Sequence, residues 1–326
     1  MDLIQSYAEE LKLIRKPFTK TWVWGLVLAV FLMPAYTEQS LVYIATLVFM
    51  FTIGTMGQNL LIGFTGQISF GQAGFLAIGA FTFGHLVRMG VPWPVALLCA
   101  GLMAGFFGLL VGFPSLRLKG PYLAIATLGF GVAVYQIFAN SPVLSGGRMG
   151  LTIHKLEPFW FLSTEQTYFY LYFFIAGLFT LLTYNIVSSY MGRAFIAVRD
   201  NDIAAEVLGV SLTRYKLLSF AISSFYVGVQ GGLLALLLGY LEPNMFTFLM
   251  TVDFLVAVIV GGLALVEGSI LGAAFVVLAP QVLAEYKALV PMIYGLAIIL
   301  VLIFEPLGLA GRWLKMRLYF RNWPFR

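Results

Sequence analysis

Gly57-Gln58-Asn59-Leu60-Leu61-Ile62-Gly63-Phe64-Thr65-Gly66-Gln67-Ile68-Ser69-Phe70-Gly71-Gln72-Ala73-Gly74 lies inside a longer run, Leu41–Gly84, with no charged residue over 44 positions. As one helix that run would be about 66 Å long, twice the ~30 Å of a bilayer's hydrocarbon core. It must therefore turn back inside or beside the membrane, and Gly63-Phe64-Thr65-Gly66-Gln67 is the predicted turn. The segment is uncharged, yet rich in glycine and amide side chains. Broken helices of that composition are tolerated where freed backbone groups are buried in protein or line a wet path.

Composition agrees with a membrane chain. The 326 residues are 61% hydrophobic and 10% charged, with mean hydropathy +0.95; soluble domains carry about 25% charged residues. Such a chain would have too few polar residues to cover a soluble surface. The 34 glycines and 30 phenylalanines suit packed membrane helices. The net charge of +5 does not indicate nucleic-acid binding, because the basic residues sit in the gaps between apolar runs. A single cysteine, Cys99, excludes an intrachain disulfide. No small-residue cleavage site follows the first apolar run near Thr21, so no secretory signal is expected.

Single spans are predicted at Thr21–Tyr36, Pro92–Phe113, Tyr122–Asn140, Tyr168–Ser188, Leu217–Leu241 and Leu289–Phe304. Leu41–Gly84 supplies two. Phe254–Ala284, 31 residues or about 46 Å of helix, is read as two short or broken spans meeting near 261–269. The expected fold is therefore all-α and integral to the membrane, with about ten transmembrane helices and broken or re-entrant helices near 63–72 and 261–269. With both termini in the cytoplasm, the 19 basic residues divide 15 inside to 4 outside (Arg88, Arg148, Lys155, Lys287), as the positive-inside rule requires. Residues 1–20, with Leu3, Tyr7, Leu11 and Ile14 at helical spacing beside Glu9, Glu10, Lys12 and Arg15, read as an amphipathic surface helix. Residues 21–308 form the membrane domain. Residues 309–326 form a basic, aromatic cytoplasmic tail suited to an anionic leaflet.

Enzyme chemistry is poorly supplied. His85 and His154 are far apart, and no catalytic set or metal-binding motif stands out, so neither catalysis nor a metal is expected. Glu242, Asp253, Glu267 and Glu285 fall at the ends of the predicted spans, which argues against an ion-coupled carrier. There is no phosphate-binding loop, so energy for active transport would have to come from another chain. Gln58, Asn59, Gln67, Ser69 and Gln72 are candidate pathway-lining residues; tight helix packing explains the same composition equally well. The stretch Arg193–Lys216 carries seven charged residues. Within it, Asp202 can cap a short helix over Ile203–Leu208 that Gly209 ends. This is either a docking element or a solvated loop.

Gly57–Gly79, Leu116-Arg117-Leu118-Lys119-Gly120-Pro121-Tyr122-Leu123-Ala124-Ile125-Ala126-Thr127-Leu128, Gly146-Gly147-Arg148-Met149-Gly150-Leu151 and Met191-Gly192-Arg193-Ala194, in this order, resemble the branched-chain amino-acid permeases of ATP-binding-cassette (ABC) transporters, in their LivM-type branch. The resemblance runs from about Leu41 to Gly308. It implies an importer of branched-chain or related hydrophobic amino acids in a bacterial inner membrane. It also implies a second related permease, two cytoplasmic ATPases that hold the ATP, and a periplasmic binding protein, with no cofactor on this chain. Ala204-Ala205-Glu206 with Gly209 is similar to the family's coupling helix, though its Glu/Ala order differs from the generic pattern. Arg199, Asp202, Ala204, Ala205, Glu206 and Gly209 are accordingly the expected ATPase-coupling residues. Alternatives are uptake of urea, short amides or other small solutes by a similar permease, or an ATPase-independent channel or carrier.

Overall fold

The computed structural model describes residues 17–116, 118, 120–146, 150–153, 163–282, 289–305 and 308–312. The predicted surface helix therefore lies outside the described residues up to residue 16, and the basic tail from residue 313. The helices are α1 (Pro17–Leu32), α2 (Gln39–Asn59), α3 (Gln72–Arg88), α4 (Trp93–Ser115), α5 (Pro121–Asn140), α6 (Thr164–Ser188), α7 (Tyr190–Asp200), α8 (Asp202–Val207), α9 (Leu212–Leu238), α10 (Phe248–Gly261), α11 (Val266–Val282) and α12 (Val290–Phe304). Leu151–Thr152 (β1) and Tyr240–Leu241 (β2) pair antiparallel, tying the α5–α6 connection to the end of α9.

A helix lies at each of the ten predicted span positions. Among the described residues, six segments are long and apolar enough to cross a membrane: Gln39–Phe64, Trp93–Pro114, Pro121–Asn140, Thr164–Ser188, Leu212–Leu238 and Pro243–Gly261. The apolar stretches Trp24–Ala35, Val266–Val282 and Val290–Val301 are shorter. The chain is thus an all-α, multi-pass membrane protein. Two boundaries differ from expectation. Arg193–Lys216 is not a loop with one short helix, because the eleven-residue α7 precedes α8. And α10 begins at Phe248, so Asp253 sits inside an apolar helix, half-buried, rather than at a span end. A carboxylate marks a span end only where the helix stops before reaching water; here it continues past it.

The fold is built around α9. In its most apolar window 78% of residues are buried, against 22% for α5 and α6, which places α9 at the centre and α5 and α6 at the rim. Because lipid is as apolar as leucine, close backbone approach rather than exclusion of water holds such helices together. The approach is visible at Gly231 of α9, where an added Cβ would stand 2.2 Å from the Leu76 carbonyl oxygen and 2.8 Å from the Ala80 nitrogen of α3. Gly79 and Gly228 meet in the same way, at 2.2 Å. A second apolar cluster, Val256, Ala257, Val260, Val276 and Tyr294, joins α10, α11 and α12. α1 is held to α6 by Phe31, whose ring centroid lies 5.0 Å from that of Tyr170.

Candidate functional site

The long uncharged run breaks where it was expected to. α2 ends in a π-helical turn, Leu60–Phe64, a widened turn that often accompanies functional sites. The next helix starts at Gln72. Three of the carbonyls freed at this end are engaged. Ile62 O accepts from Gly66 N, Leu61 O accepts from Gln67 N at 3.0 Å and from the Thr65 hydroxyl at 2.6 Å, and Gly63 O accepts from Arg199 Nη1 at 2.7 Å. Beyond it, residues 66–69 alternate: Gly66 and Ile68 are exposed, Gln67 and Ser69 buried.

The polar side chains singled out in the sequence separate into two groups. Gln58, Gln67, Ser69 and Gln72 lie at the first break, where Gln58, Ser69 and Gln72 bond to one another and Gln67 bonds elsewhere. Gln58 Nε2 donates to Ser69 O at 3.1 Å, Gln72 Nε2 donates to Gln58 Oε1 and, at 3.3 Å, to Ser223 Oγ, and Gln67 Nε2 donates to Ser219 Oγ at 2.7 Å. All four are buried. Their partners Ser219 and Ser223 lie one turn apart on a face of α9 and were not singled out in the sequence, nor were Thr127 and Thr251. Thr127 accepts from Phe70 N at 2.9 Å, and Thr251 accepts from Ala73 N at 3.1 Å, satisfying a donor of the α3 N-terminus.

Asn59 belongs to the other group. Its Nδ2 reaches Leu265 O (2.9 Å), Ser269 Oγ (3.0 Å) and Gly262 O (3.3 Å), while its Oδ1 accepts from Ala264 N (2.9 Å). It thereby holds the second break, 262–265 between α10 and α11, where Ala264 takes the left-handed conformation at φ +58°. An amide is well matched to this task, because it donates and accepts at once. The two breaks touch directly: a Cβ on Gly63 would stand 2.5 Å from Ala264 N.

Replacing Gln72 by leucine removes a donor from a site where the Gln58 carbonyl and the Ser223 hydroxyl stay buried. The expected cost is about 1–3 kcal/mol. A lowered melting temperature of the purified protein would show it, while an unchanged one would mean that water reaches the cluster.

The expected coupling residues are brought to one end of the molecule. α8 is capped by Asn201, whose Oδ1 accepts from Ala204 N at 3.0 Å. This corrects the assignment of the cap to Asp202, which is instead the first helical residue and pairs with Lys216 at 3.6 Å. The helix stops as expected at Gly209 (φ +85°): Gly209 N bonds Glu206 O and Val210 N bonds Ala205 O, both at 2.9 Å, the paired bonds of a Schellman end. Ala204 and Glu206 are exposed. Ala205 is 2% exposed and packs inward, so it is not free for close docking. The surface α8 offers is apolar instead, with Ile203 70%, Val207 83% and Leu208 82% exposed. Their outward direction was not legible in the sequence. A cleft of about 460 Å³ opens between this end and the first break, lined by Gly66, Gln67, Ile68, Arg199, Ile203 and Lys216 among others.

The profile of the family described as "Branched-chain amino acid transport system / permease component" matches residues 40–304. The chain belongs to that family. This permease is 34% identical over 310 residues to the high-affinity branched-chain amino acid transport system permease protein LivM of Escherichia coli strain K12, covering 87% of this chain and 73% of that protein. It is 31% identical to LivM of Salmonella typhimurium strain LT2, covering 89% and 74%. It is also 24% identical to the autoinducer 2 import system permease protein LsrC of Escherichia coli O157:H7, covering 86% and 84%. No solved structure matches it significantly. These relatives are transport permeases rather than enzymes. Among the described residues, no group of three or more histidine, cysteine, aspartate or glutamate side chains could hold a metal ion.

Proposed function

We propose that this permease is the membrane-spanning subunit of an importer in a bacterial inner membrane that carries branched-chain or related hydrophobic amino acids inward. A related second permease, two cytoplasmic ATPases and a periplasmic binding protein complete the importer. The single observation that carries the coupling role is the apolar surface of α8. Three aliphatic side chains stand out from a six-residue helix and its C-cap, beside the charged Asp202 and Glu206. A soluble end of a membrane protein gains nothing from that exposure unless another protein covers it. Ala204, Glu206 and the sharp stop at Gly209 shape the same surface. Asp202 and Arg199 fix the helix from behind, and Ala205 packs its inner side.

Ten spans with both termini in the cytoplasm put α7 and α8 on the inner side, where an ATPase can reach them. The 15-to-4 division of basic residues supports this orientation, as does the presence of a helix at each of the ten predicted positions. Gln58, Gln67, Ser69 and Gln72 serve the pathway by setting the shape of the first break; their burial and their bonds within the protein favour this over direct contact with solute. Asn59 does the same for the second break. The first break presents Gly66 and the apolar side chain of Ile68, a weakly binding surface for a zwitterion with an aliphatic side chain.

The 24% identity to a permease named for autoinducer 2 favours one second reading, the same machine with another small solute as cargo. Reconstitution of the complete complex with its binding protein separates the two. ATP-dependent uptake of radiolabelled leucine is expected. Uptake without ATP would refute the ABC reading, and ATP-dependent uptake of another small solute, with none of leucine, isoleucine or valine, would establish the second.

A further inference from the structure

We propose that Arg199 is the positioning residue through which movement of α8 reaches both helix breaks of the permease. The inference rests on α8 being the ATPase contact, and adds where the movement goes next. A single residue, Asn201, separates α7 from α8. It caps α8 through its side chain, while its nitrogen bonds Ala197 O of α7 at 3.1 Å. Displacement of α8 therefore carries the last turn of α7 with it.

Arg199 lies in that last turn. Its backbone and stem lie against the first break: a Cβ on Gly66 would stand 3.3 Å from Arg199 Cγ and 3.6 Å from Arg199 Cα. Gly66 has φ +69°, so a side chain there would meet both backbone strain and this contact. The guanidinium continues across to Gly63 O at 2.7 Å. That bond is charge-assisted, and it places a cation at the carbonyl end of α2, where the helix dipole favours it.

From Gly63 the connection passes directly to the second break. A Cβ at Gly63 would stand 2.0 Å from Asn59 Oδ1 and 2.5 Å from Ala264 N, and Asn59 is bonded to residues 262, 264, 265 and 269. One break cannot shift without the other. Beside this bridge the cleft between α7–α8 and residues 65–68 is open. The second tie, Asp202 to Lys216 at 3.6 Å, leads to the start of the central α9. Arg199 is thus the strut that ties the end of α7 to the breaks beside the cleft.

The test uses the assembled transporter in proteoliposomes, with Arg199→Gln and Arg199→Lys. Three quantities are read: ATPase retained on the permease, ATP hydrolysed, and radiolabelled leucine taken up. For Arg199→Gln the complex should assemble and hydrolyse ATP, while uptake per ATP falls about tenfold or more, the size of a typical coupling between sites. Arg199→Lys should recover part of the ratio, since an ammonium can still donate to one carbonyl. An unchanged ratio in assembled complexes would overturn the proposal, and so would loss of uptake and hydrolysis in equal measure. Failure of the docking reading would appear elsewhere, as normal ATPase association after disruption of Val207.

Should Arg199→Gln not accumulate, spin labels at the exposed Asp200 and Ile68 in a Cys99→Ser background report on the unaltered strut. Their separation should stay fixed when ATP binds; a change in it would overturn the proposal.

Discussion

Replacing Val207 by arginine should give a permease that inserts, keeps its fold and loses its ATPase. Val207 is 83% exposed, so the folded chain alone barely registers the change. In the complex the substitution removes an aliphatic contact worth about 1.5–3 kcal/mol and leaves a charge at an apolar contact. Together these are worth about 3 kcal/mol or more, roughly a hundredfold in affinity. Co-purification of the ATPase with the permease measures the effect, and ATP-dependent uptake should disappear with it. Val143 is an internal control, being equally exposed at 85% but lying beyond the far end of α5, some 20 residues or about 30 Å of helix from the cleft. Val143→Arg should leave the ATPase in place. Normal association of the Val207→Arg variant would return α8 to the status of a solvated connection.

The second large effect is expected at the centre of the fold. Gly231→Val should prevent accumulation of folded permease. The added Cβ would meet the Leu76 carbonyl and the Ala80 nitrogen. Both are backbone atoms of α3, so relief requires α3 and α9 to separate. Overpacking of this kind costs about 1–3 kcal/mol where side chains can yield, and more where they cannot. The readout is the yield and melting temperature of the detergent-solubilised protein. A contrasting substitution, Gly177→Ala on α6, where no atom lies within 4 Å of the added Cβ, should be tolerated. If Gly231→Val accumulated with wild-type stability, α3 and α9 could not be in backbone contact.

Much of this architecture was legible because a bilayer constrains length. Forty-four uncharged positions cannot be one helix, and the glycines at 63 and 66 mark where the run gives way. The same arithmetic divided Phe254–Ala284 at Gly261 and Gly262. What was not legible depends on partners distant in sequence. Asn59 looks like its neighbour Gln58, yet one bonds across the first break and the other across the second, because successive helix positions point about 100° apart. Asn201 and Asp202 are both good capping residues, and only the backbone turn at 201 decides between them. Ala205 faces inward because α8 lies against the rest of the protein on that side, which its small size permits but does not announce. Asp253 was misplaced because a charge was taken as the limit of a span, whereas the helix had begun more than a turn earlier.

The bonds of Asn59 also set a timetable for biosynthesis. Its partners lie 203 to 210 residues further along the chain, and those of Gln67 and Gln72 about 150. At roughly 5–20 residues per second of synthesis, α2 and α3 wait on the order of 10–40 seconds in the bilayer, Asn59 without its partners and their glycine faces uncovered, before α9 and the α10–α11 turn emerge. The nascent chain cannot complete itself helix by helix. It stays a loose collection of inserted segments until its last third arrives, and during that interval it depends on the insertion machinery to keep it from the wrong neighbours.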